Sequence, residues 1–150
     1  MKTLSSIALT LALTASAAFA NDHLTQIAGH ARELAADYGK MTQTLKNKNF
    51  APAELQQELQ AADSDLGTIK TLMAEYAATE PKLNAAQAKD WKLTQDLVVL
   101  LDVFQTVKSE LLAGDSPTSK RKEIQAHSQG LVTRAKMLEK TAMRLAGSGS

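Results

Sequence analysis

Four stretches of this chain repeat apolar residues at alternating spacings of three and four, and that repeat leaves few architectures open. A side chain recurring every 3.5 residues on average lines one side of an α-helix and buries it along a single seam. The first seam is Leu24, Ile27, Ala31, Leu34, Tyr38, Met41 and Leu45. The second is Leu55, Leu59, Ala62, Leu66, Ile69, Met73 and Tyr76. The third runs from Leu83 and Ala86 to Leu93, Leu97, Leu100, Phe104, Val107 and Leu111, and the fourth is Ile124, Ser128, Leu131, Ala135, Leu138, Ala142 and Leu145. Strand signals are absent, since Val and Ile adjoin only at Val98-Val99, within the third stretch.

The intervals between the seams carry helix-boundary chemistry. Pro52 suits a first helical position, with Phe50 placed to staple onto Leu55. Pro81 follows Thr79 and Glu80, either able to cap a third helix. Gly114 ends that helix, and Ser116-Pro117 starts the last. The expected helices cover 22–47, 52–78, 81–113 and 117–146. Short connections force neighbours to run antiparallel, so the fold class is all-α, an up-down-up-down four-helix bundle over residues 21–146. Gly147 to Ser150 reads as a flexible tail. Small residues at Ala62, Ala135 and Ala142 predict close helix approach at those levels.

Residues 1–20 read as a secretory signal peptide, with Lys2 as the positive start, Ile7 to Leu13 as the apolar run and Ala18-Phe19-Ala20 as the cleavage site. That run falls short of the roughly 20 apolar residues of a transmembrane helix. Asp96 and Asp102 bracket the most apolar later stretch, so no membrane anchoring is expected. No cysteine follows the signal to take a lipid. The expected address is the periplasm, or the outside of a cell with Gram-negative-type export. The absence of cysteine also excludes disulfides and covalent c-type haem.

The 130 residues from Asn21 carry 16 basic and 16 acidic side chains. Zero formal charge argues against a nucleic-acid binder, which normally has a basic excess. The distribution is uneven: residues 51–81 sum to −5 and residues 117–150 to +5. In a sequential bundle these two helices lie on a diagonal, giving an acidic and a basic side.

Few residues suggest chemistry. Metal candidates are His30, His127, Asp90 and Glu123: Glu123 and His127 lie one turn apart, and Asp90 falls near the level of His30. The Glu-x-x-His motif of di-iron carboxylate bundles does not occur. Nor does a nucleophile elbow, a Gly-rich phosphate loop or a His-Glu-x-x-His helix. Lys120, Arg121 and Lys122, in the first turns of the last helix, are a candidate anion site. Strict heptad phase turns Asp90 inward, where it needs a partner such as His30. A slip of one residue turns Trp91 inward instead, which is preferred because a lone Trp is seldom left in water. In the strict phase Trp91, Val98 and Val99 face outward as a candidate partner surface.

This layout resembles the small periplasmic b-type cytochromes, four-helix bundles that hold haem non-covalently, in architecture and address rather than in motif. In that family a Met of the first helix and a His near the end of the last ligate iron. Here the first helix offers His23 and His30 and the last offers Met137 and Met143, a reversed pair, while Met41 and His127 fall at similar height near the other end.

The sequence therefore points to a non-enzymatic bundle that needs no cofactor and binds a protein or small ligand, with a homodimer as one form of that association. The alternative is a carrier of haem b or of a copper or iron ion, in electron transfer or metal handling. N-terminal sequencing of the exported protein is expected to read from Asn21, and an intact Met1 would overturn the signal-peptide assignment.

Overall fold

A computed structural model describes residues 4–113 and 119–147, with side chains described from Asn21 onward. The helices are α1 (Leu4–Thr44), α2 (Pro52–Ala78), α3 (Ala85–Ala113) and α4 (Arg121–Gly147). No strand occurs among the described residues, and no described helix is long and apolar enough to cross a membrane. The segment read as a signal peptide belongs to α1, which runs unbroken through residues 18–20.

Cross-helix pairs fix the direction of each neighbour. From α1 to α2 they are His23–Glu75, His30–Asp65 and Thr44–Glu58. From α1 to α4 they are Arg32–Glu139 and, just past the end of α1, Leu45–Arg121. Tyr76–Trp91, Lys70–Asp102 and Asp63–Gln105 join α2 to α3, and Asp90–Arg144 and Phe104–His127 join α3 to α4. In every set the numbers rise along one helix as they fall along the other, so the chain forms a four-helix bundle with antiparallel neighbours. The diagonals α1–α3 and α2–α4 make no close backbone approach, and α2–α3 is the loosest of the four adjacent pairs.

The α1 and α4 seams are buried at every expected position, from Leu24 to Leu45 and from Ile124 to Leu145. Ala62, Ala135 and Ala142 are fully enclosed, as close helix approach requires. On α2 the seam holds at most positions, with Leu59 and Met73 only partly buried and Leu72 buried beside Met73.

On α3 the expectation fails by one residue. The buried positions are Thr94, Leu97, Val98, Leu101, Gln105, Lys108 and Leu112, while Leu100 is 42% exposed. The slip that turns Trp91 inward is therefore what occurs, and it persists to the end of the helix. Trp91 packs against Tyr76 with ring centroids 4.7 Å apart. Asp90 turns to Arg144, which grips it through Nη2 at 2.6 Å and Nε at 3.0 Å.

Helix ends also differ from the expected bounds. Pro52 opens α2 as expected, and Phe50 and Leu55 are both buried. Thr79 closes α2 instead of opening α3: its N–H and hydroxyl both donate to the Tyr76 carbonyl. Glu80 then takes a left-handed φ of 47° as the chain leaves the helix. The cap of α3 is Asn84, whose Oδ1 accepts from the Ala86 and Gln87 N–H groups while Gln87 Oε1 accepts from Asn84 N–H. That reciprocal pair starts α3 at Ala85 and not at 81. α4 starts at Arg121 and not at 117, and Gly147, expected in the tail, is its last residue. The expected Gly114 and Ser116-Pro117 boundary, and residues 148–150, lie outside the described residues.

The one-residue slip is measurable. Leu101→Ala should cost about 2–5 kcal/mol, the range for a large-to-small change in a core. Leu100→Ala should cost about 1 kcal/mol or less, as at a partly exposed site. Denaturant unfolding of both variants checks this, and a larger loss at Leu100 would restore the strict heptad phase.

Candidate functional site

The slip on α3 places a polar cluster inside the bundle. Tyr38 lies fully buried in the middle of the α1 seam, and its hydroxyl donates to Gln105 Oε1 at 2.8 Å. The Gln105 amide donates in turn to Asp63 Oδ1 at 2.9 Å and to the Leu59 carbonyl at 3.3 Å. One turn further along α3, Lys108 is wholly enclosed. Its ammonium contacts Met41 Sδ at 3.3 Å and lies 4.2 Å from the centre of the Tyr38 ring.

A thioether and a ring face are weak partners for a buried cation. Desolvation therefore drives the Lys108 amine down to about 7, against the opposing fields of Glu58 and Asp63. Burial first, then the carboxylates of Asp63, Asp102, Asp37 and Asp65, push the Tyr38 phenol far above its ordinary value. Glu58 accepts from the Thr44 hydroxyl through Oε1, while its Oε2 is buried without a partner, and burial raises this carboxyl. The cluster is not visible in the apolar repeat, because Gln105 and Lys108 sit off that repeat on α3. The one available signal was Tyr38, a hydroxyl on a buried seam that needs an acceptor.

The expected metal candidates are not brought together. His30 Nδ1 pairs with Asp65 of α2 at 2.9 Å and stands 3.6 Å from Glu33, so the His30–Asp90 layer that the strict phase would have required does not form. Asp90 belongs to Arg144, whose guanidinium holds its carboxyl below the usual carboxylate range. His127 packs against Phe104 with centroids 5.8 Å apart, and Glu123 is exposed. In sequence Glu33 completes His30-x-x-Glu33, the reverse order of the di-iron Glu-x-x-His motif. For the haem pairs, Met41 contacts Lys108, His23 pairs with Glu75, and Met137 and Met143 are 46% and 47% exposed.

The anion candidates separate as well. Arg121 donates to the Leu45 carbonyl at 2.6 Å, closing the open C-terminal end of α1. Lys120 and Lys122 are exposed. Of the expected partner surface, Val98 is a correction: it is 6% exposed and belongs to the core. Trp91 is half-buried on Tyr76, and Val99 is 62% exposed.

A shallow groove of about 250 Å³ opens between α3 and α4, lined by Phe104, Ala126, His127, Gly130 and Arg134. The Arg134 guanidinium covers the Phe104 ring at 4.3 Å and donates to the Gly130 carbonyl. A side chain at position 130 would meet that guanidinium at 2.9 Å, so glycine leaves room for the lid over Phe104.

Compared with protein-family models, with curated proteins and with solved structures, the chain matches none.

The buried amine has a defined pH signature. Unfolded lysine titrates near 10.5 and Lys108 near 7, so the unfolded chain binds more protons between those values and stability rises with pH across that window. Above 10.0 the Tyr38 phenol, raised in the folded state, reverses the trend. Lys108→Met should raise stability at pH 6–7 by about 1–4 kcal/mol, the range for replacing a buried charge with an apolar side chain. Its advantage should shrink toward pH 10. Urea unfolding of both proteins across this range is the check.

Proposed function

We propose that the protein is an exported, non-enzymatic binding bundle whose working surface is the outer face shared by α3 and α4. One observation carries this reading. The large apolar side chains exposed among the described residues are Val99, Leu100, Val103, Met137 and Met143, and all lie on these two helices. Met143, one turn beyond Glu139 on the α1 side, lies off the shared face. Val99, Leu100 and Val103 fall within about one turn of α3, and Met137 stands one turn from Arg134, which reaches Phe104 of α3. Isolated exposed apolar residues are ordinary, but such a grouping on a charged rod marks a surface that meets a partner.

Charge supports a choice of partner. Residues 117–150, which include α4, sum to +5, and Lys136 and Lys140 flank Met137 on that helix. The Phe104 groove, with Arg134 across it, adds an aromatic and a guanidinium, the residue types enriched in binding hot spots. The occupant that fits is an amphipathic helix of another protein with acidic residues flanking its apolar side, laid along the α3–α4 face. The apolar stripe expected at Trp91, Val98 and Val99 moves accordingly to Val99, Leu100 and Val103.

Export rests on residues 1–20 and their Ala18-Phe19-Ala20 site. The test compares chemical crosslinking in envelope extracts for wild type, Val99→Ser/Val103→Ser and Lys136→Glu/Lys140→Glu. Both double variants should lose the same crosslinked species. Their melting temperatures should shift by no more than about 2–4 °C, the effect of 1 kcal/mol in a domain approaching 150 residues. Unchanged crosslinking, or a collapse in stability, would refute the docking face.

A further inference from the structure

We propose that His30, Glu33 and Asp65 form a binding site for a divalent transition-metal ion of the zinc class at the contact between α1 and α2. This site is on a different face from the docking surface and does not depend on it.

The argument starts from helix geometry. Residues three apart on a helix are neighbours on its surface, so His30 and Glu33 project together from α1, with Nδ1 3.6 Å from Oε2. Asp65 reaches the same imidazole nitrogen from α2 at 2.9 Å. The three donor atoms lie within 4.8 Å of one another. A tetrahedral ion with bonds of about 2.0–2.1 Å spaces its ligand atoms by about 3.4 Å. The observed separations bracket that value, and the adjustment falls on Glu33, whose side chain is 68% exposed and able to swing. Asp65, at 15%, is held by its surroundings and supplies the fixed end of the site.

The donor set selects the metal. One imidazole nitrogen with two carboxylates is a borderline N/O set, suited to zinc and its neighbours rather than to calcium or magnesium, which take oxygen ligands. Three protein ligands leave a fourth position to water on the exposed Glu33 side. The local field also favours a cation, since the segment 51–81 that supplies Asp65 sums to −5. Of the other histidines, His23 pairs with Glu75 and His127 lies on an aromatic ring. Among the described residues no other group brings three such donors together. An ion held by both helices would also pin α1 to α2, so binding should stabilise the fold.

The experiment titrates chelator-stripped protein with zinc against a chromophoric competitor. One ion per chain is expected. His30→Ala and Asp65→Asn should each weaken binding at least about tenfold, the lower bound for losing even an outer-shell partner of a metal site, while His127→Ala binds like wild type. In wild-type protein, zinc should move the imidazole NMR resonances of His30 and leave those of His127 in place, a readout that needs no variant to fold. Zinc should also raise the melting temperature of wild type but not of His30→Ala. Failure to take up one ion, equal binding by the His30→Ala and wild-type proteins, or a shift at His127 instead of His30 would overturn the site.

Discussion

The rotation of α3 coincides with one buried hydrogen bond. Tyr38 occupies the centre of a seam that is otherwise aliphatic and fully buried, and a phenol there without an acceptor would leave a polar group stranded at a cost of about 1–3 kcal/mol. Gln105 accepts that bond and is itself tied to Asp63 and the Leu59 carbonyl. With Gln105 turned inward, the positions one turn either way follow: Leu101 and Lys108 enter the core. Leu100 is left at the edge, and Val98 leaves the surface. Trp91 comes to rest on Tyr76 and Asp90 within reach of Arg144. Core membership and the exposed stripe on α3 are both consistent with this single polar contact.

Three of the four seams were legible because their inward residues are almost all apolar. Leu24 to Leu45 and Ile124 to Leu145 could be read position by position, and Ala62, Ala135 and Ala142 marked the levels of close approach. On α3 the inward turn of Trp91 was legible from the lone Trp, but the continuation of the slip to Leu112 was not, for a definite reason. The repeat of Leu93, Leu97, Leu100, Phe104, Val107 and Leu111 is regular, and hydrophobic periodicity ranks Thr94, Gln105 and Lys108 as solvent-facing. Only a partner on another helix can override that ranking, and partners across helices are not visible along one chain. Asn84 was hidden similarly, since Pro81 offered a closer match to a helix start than a capping pair three residues on.

The sites divide along the same line. His30 could be picked out as a candidate, and Glu33 stood within its own turn, but Asp65 lies 35 residues away and enters only through the α1–α2 register. Arg121 looked like part of an anion-binding turn until the fold brought the C-terminal carbonyls of α1 alongside it. Lys108 had no sequence signal at all, because a lysine beside an apolar repeat normally extends its amine to water. Of the apolar residues expected to face outward on α3, Val99 does so, while the single-residue rotation buries Val98, packs Trp91 on Tyr76 and exposes Leu100.

The placement of charge has a mechanical consequence. Residues 21–150 carry no net formal charge, yet the acidic α2 segment and the basic α4 segment occupy opposite corners of the bundle. Such a molecule has a transverse dipole. A uniform field does not pull it; a charged surface turns it. At physiological ionic strength this torque acts over a Debye length of about 8 Å, within the final layers of water before contact. An anionic surface is therefore met by the α4 corner and a cationic one by the α2 corner, so that the molecule arrives already oriented before any side chain touches.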